Sequence, residues 1–254
     1  MKSKLLLFHP YLLETKLLED DSIHYGLTIY ERQTITIAAM AVVNSFRQNR
    51  ENLEINTKKR QKFLMEILAA TLSSSKSVNL MTVAKNIYFE WLLNPTFFGD
   101  LKRQNKYIRR ILKHLSLPFT FNCLEDDPRE LYELIIQIVD DLKSFIASRI
   151  YDLEKETWDT LLRVLIGVSD YVYCYRFNNL MKQEYISKLN QKLFFLTFFI
   201  IIYSKDFDMV NWNLLKSYCK KWSVNLDFLE IWGEFLINSY KILINNIYNV
   251  KDQS

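Results

Sequence analysis

The sequence predicts an all-α protein, and three observations carry that expectation. The first is a shortage of chain breakers: the 254 residues include only four glycines and four prolines, where average usage would supply about thirty. Sandwiches and barrels need turn residues at roughly every tenth position, and doubly wound folds need glycine where strands turn into helices. The second is apolar residues recurring at steps of three and four over long stretches. The third is that the stretches between them are short and polar, as in SSSKS at 73–77, NPTFFGD at 94–100 and FNCLEDD at 121–127.

Taken in order, the periodicity predicts helices near 31–47, 59–72, 78–92, 100–115, 128–150, 155–175, 184–203, 211–222 and 226–248, about nine in all. The clearest is 128–150, where Leu131, Leu134, Ile135, Ile138, Val139, Leu142, Phe145 and Ile146 form one apolar face. Its start is marked as well. Asp127 can act as N-cap, Pro128 suits the first helical position, and Glu130 can close a capping box. Short connections favour antiparallel neighbours, and no linker is long enough to separate the chain into two domains. The architecture expected is a single α-helical domain over 1–254, an irregular α-solenoid of HEAT/armadillo-like hairpins. The helical signal is weaker over 1–58.

Composition removes several functions. The closest glycines, Gly167 and Gly233, are 66 residues apart, so neither a dinucleotide fingerprint nor a P-loop can form. Cys123, Cys174 and Cys219 and the three histidines His9, His24 and His114 are dispersed, without the spacings of zinc or redox sites. The cysteines read as reduced thiols of a cytoplasmic protein, and neither they nor the histidines imply a metal or other cofactor. The opening MKSKLLLFHP has a short apolar run with no small-residue cleavage site after it, which argues against secretion. The longest apolar run, LFFLTFFIIIY at 193–203, is about half of what a membrane span requires and reads as a core helix.

Two motifs invite a chemical reading. Asp126-Asp127-Pro128-Arg129-Glu130 has the DDxxE form of all-α isoprenoid enzymes, and Asp140-Asp141 resembles the start of their second metal motif. Ser148 stands where that motif needs a carboxylate, and both motifs would share one helix, so capping accounts better for the first. Lys102, Arg103, Lys106, Arg109, Arg110 and Lys113 form a basic helix, with no acid between Asp100 and Glu125. Lys102, Lys106, Arg109 and Lys113 fall on one stripe, with Ile108, Ile111, Leu112 and Leu115 behind. Such a stripe serves solubility alone, or meets an acidic protein or an anionic membrane surface. Aromatic residues do not interleave with it, which argues against single-stranded nucleic acid, and a net charge of only +4 gives no support to a nucleic-acid partner. No Ser, Cys or Lys has a local activating partner, so the sequence gives no support to an enzyme.

Four stretches in order resemble the N-terminal helical region of the β subunit of the Ral GTPase-activating protein complex, and more loosely its α subunit and tuberin-like proteins. They are KFLMEILAATL (62–72) with Trp91 nineteen residues on, NKYIRRILKHL (105–115), ETWDTLLRVLIGVSDYV (156–172), and the pair Trp222 and Trp232. The resemblance spans about 59–249. It implies a non-catalytic helical scaffold acting in Ras-like GTPase signalling through protein contacts. The catalytic Asn of this family lies in a separate C-terminal domain of the α subunit, which nothing here resembles, so no catalytic residue carries over. The implied partners are a GAP-domain α-type subunit and, through it, a Ras-like GTPase. The family's proline before its second tryptophan is missing from SVNLDFLEIW.

Overall fold

A computed structural model of the chain describes residues 58–248, apart from 75–77, 121–127, 150–151, 175–182 and 205–207. The described residues form eight α-helices and no strand. They are α1 (Lys58–Ser74), α2 (Val78–Leu93), α3 (Leu101–Leu115), α4 (Pro128–Arg149), α5 (Lys155–Cys174), α6 (Gln183–Tyr203), α7 (Met209–Trp222) and α8 (Leu226–Tyr248). Short 3₁₀ turns occupy Pro95–Phe98 and Leu117–Thr120. The helix expected over 31–47 lies outside the described residues, and the other eight stand close to their expected bounds.

The punctuation follows local chemistry. Proline at 95 follows the end of α2, and Gly99, at φ 96°, takes the left-handed turn into α3. Asp100 then caps α3 by accepting the Arg103 N–H at 2.9 Å. Asp208 does the same for α7 through the Asn211 N–H, also at 2.9 Å. That bond, helped by Lys155, holds the Asp208 carboxyl below the usual carboxylate range. Pro128 opens α4 as expected. Its companions Asp126 and Asp127 lie outside the described residues.

Every helix from α1 to α6 packs on the helix two places further along, so the odd-numbered helices form one row and the even-numbered ones another. Contacts of α1 with α2, α2 with α3 and α5 with α6 join the rows. Polar pairs fix the register within the rows. Asp159 to Asn211 and Asp170 to Trp222 each link residues 52 apart in sequence, so α5 and α7 run parallel. In the other row, Tyr132 stacks on Tyr185 and Asp140 pairs with Lys192, which makes α4 and α6 parallel too.

The core is one continuous apolar cluster between the rows. The apolar face expected on α4 is buried at all eight of its positions. The run at 193–203 is buried on one side only: Leu193, Leu196 and Ile200 line the core, while Phe195, Ile202 and Tyr203 are exposed. By length and composition alone, Glu184–Tyr203 could cross a membrane. In this fold its inner face belongs to the core. Phe145, completely buried on α4, tests the cluster. Phe145→Ala should lower stability by about 3–5 kcal/mol in chemical denaturation, whereas truncating exposed Ile202 should change it by less than about 0.5 kcal/mol.

Candidate functional site

The motifs singled out in the sequence touch one another in succession. Glu66 in the first pairs with Arg110 in the second at 3.6 Å. Trp91, the end of the first, meets Phe98 edge-on, and Phe98 stacks on Tyr107 of the second at 4.5 Å between centroids. Behind them the Tyr88 hydroxyl reaches both the Met65 carbonyl and His114 Nδ1 within the buried core. Burial pushes that phenol well above its ordinary range.

Between the second and third motifs, α3 caps α5. Asn105 Oδ1 accepts the Thr157 hydroxyl at 2.8 Å and the Glu154 backbone N–H at 3.2 Å. Both Asn105 and Thr157 are buried, so these bonds replace water at the start of α5, where the N–H of the capping residue Glu154 has no carbonyl before it in the helix to bond. Arg109 adds Glu154 at 3.4 Å and Glu156 at 3.1 Å. The ETW sequence is thus a docking edge: Glu156 pairs outward, Thr157 bonds inward and Trp158 enters the core.

The third and fourth motifs meet at Asp170. Its carboxylate is wholly buried, accepts the Trp222 indole N–H at 2.9 Å and pairs with Lys221 at 2.7 Å. Phe228 lies between Trp222 and Trp232, with ring centroids 5.7 and 6.1 Å away. Phe194, Phe198 and Phe235 continue that aromatic group onto α6 and α8. Such ring pairs add about 0.5–1.5 kcal/mol each beyond their buried area. On α7, burial pushes the Cys219 thiol up to about 11, which leaves it protonated and unreactive at neutral pH.

The basic helix divides. Lys102 and Lys106 are exposed, but Arg109 and Arg110 are largely covered and pair with Glu154, Glu156 and Glu66. Arg103 and Lys113 are half-buried. The stripe is therefore only partly a solvated face. The Asp140-Asp141 pair joins α4 to both of its row neighbours, through Lys192 on α6 and Lys85 on α2. Among the described residues no three His, Cys, Asp or Glu side chains gather into a group that could hold a metal.

Sequence reasoning did not single out Asn105, Thr157, Asp170 or Asn211. A usable signal was present for Asn105, which continues the apolar row of Ile108, Leu112 and Leu115. Asp170 likewise stands within the apolar row of α5, between Ile166 and Tyr173 at steps of four and three. A polar residue in register with a buried row implies a specific partner.

These contacts define an all-helical domain whose distinctive polar residues hold helix to helix. Residues 129–250 match the family model of the RALGAPB N-terminal domain, and over that span the resemblance seen in the sequence is borne out. The match covers just under half of the chain and takes in the third and fourth motifs, while the first two lie before it. No curated protein and no solved structure matches.

Two outcomes check the latches. Asp170→Ala should lower stability by about 2–4 kcal/mol, since it strands the buried indole N–H. Asp170→Asn, which keeps an acceptor, should cost less in the same denaturation series. Arg109→Glu should lose about 1–2 kcal/mol against Glu154 and Glu156, while Lys102→Glu with Lys106→Glu should stay within about 0.5 kcal/mol.

Proposed function

We propose that this chain is a non-catalytic scaffold region of a RalGAP-type complex, acting in Ras-like GTPase signalling through protein contacts. The observation that carries the reading is the RALGAPB N-terminal domain match over residues 129–250. The Asp170 latch supports it, because two of the motifs inside that span form one structural unit. The buried polar residues at the motifs bond to other helices, as expected of a scaffold.

In this reading the two rows of helices are a stretch of α-solenoid, in which stacked hairpins bury a continuous core and leave a long surface for partners. The partner is a GAP-domain α-type subunit, the GTPase is engaged through it, and the complex works in the cytoplasm. Tagged full-length chain should co-purify with a GAP-domain subunit, and Asp170→Ala should weaken recovery in step with its loss of folded protein. Recovery of neither a GAP-domain subunit nor a Ras-like GTPase would overturn the reading.

A further inference from the structure

Helix α8 carries a face that no described helix covers. Its inner side, Phe228, Ile231, Trp232 and Phe235, packs on the core. Turned away from that side, Leu229, Gly233, Leu236 and Tyr240 follow one another at steps of four, three and four, a single stripe on a helix of 3.6 residues per turn. Leu236 is 48% and Tyr240 64% exposed, and Ile237 widens the stripe at 57%. From Leu236 to Ile242 every residue is exposed. A Cβ built on Gly233 would meet nothing within 4 Å, so the glycine leaves open room in the stripe for a second helix to approach closely.

Charge placement says which occupant fits. Glu230, Glu234 and Lys241 are all exposed, and at 100° per residue they fall on the same flank of the stripe. When two identical helices pair antiparallel, each flank faces its own counterpart. Crossing near Leu236 and Ile237 then brings Lys241 of each copy level with Glu230 and Glu234 of the other. A parallel pairing would set the charged flank against one that carries Ser239. The acids lie before the crossing point and the lysine after it, so the pattern is complementary to itself under a two-fold axis, as an isologous interface requires.

We propose that α8 is a homodimerisation helix, pairing antiparallel with α8 of a second copy through Leu229, Gly233, Leu236 and Tyr240, with Lys241 facing Glu230 and Glu234. The test is sedimentation velocity of the full chain at concentrations up to about 100 µM, spanning the range of weak self-association. A monomer–dimer equilibrium is expected. Leu236→Asp with Tyr240→Asp should abolish it while circular dichroism keeps the native helix content. Glu230→Lys with Glu234→Lys should weaken association about tenfold, and adding Lys241→Glu should restore it, because the reversed pattern is again self-complementary. A chain that stays monomeric throughout, a dimer indifferent to the Asp substitutions, or failure of the triple reversal to restore pairing would overturn the proposal. In the first case the stripe belongs to another occupant, such as a different helical subunit.

Discussion

Helix α5 sits in contact with α3, α6 and α7, with two of its buried polar side chains, Thr157 and Asp170, matched near its two ends. At the start, Asn105 and Arg109 take up Glu154, Glu156 and Thr157. Near the end, Asp170 is closed by Trp222 and Lys221. A buried carboxylate without such partners would carry a desolvation cost of several kcal/mol. The paired one fixes how far α7 slides along α5, since an indole N–H and an ammonium must both reach a single side chain. The aromatic group around Phe228 is positioned by that register, because α8 begins just after Trp222.

The same device recurs in the other row, with different chemistry. Asp140 and Asp141, adjacent in sequence, reach to opposite neighbours, Lys192 on one side and Lys85 on the other. Lys85 is itself buried, while Asp141 is partly open. A pair that resembles a metal motif thus acts as a two-sided brace for a row of parallel helices. Partly exposed ion pairs contribute little to stability. Their role here is alignment, and the apolar faces behind them supply most of the driving force.

Much of this is legible in the sequence. Few glycines and prolines together with 3.6-residue periodicity lead to the helices and nearly to their bounds, because both are local properties of backbone and side-chain placement. Pro128 reads as a helix starter for the same reason. The four motifs are also visible in order. Their mutual contact is not, since Asn105 meets Thr157 and Asp170 meets Trp222 across 52 residues, a separation at which sequence spacing says nothing about proximity. The basic helix shows the limit from the other side: charge and periodicity place Arg109 on the stripe with Lys102 and Lys106, but only the position of α5 turns it inward.

The sequence by itself therefore determined the all-helical class, the apolar faces of α3 and α4 and the absence of any glycine-based nucleotide motif, because these depend on residue types and on spacing within a few turns. Tertiary structure alone decided which helices share a row, which acids close which bases and which apolar stripe on α8 is left uncovered. Those outcomes depend on how faces are matched between helices far apart in the chain, and a polar atom withdrawn from water admits few matches.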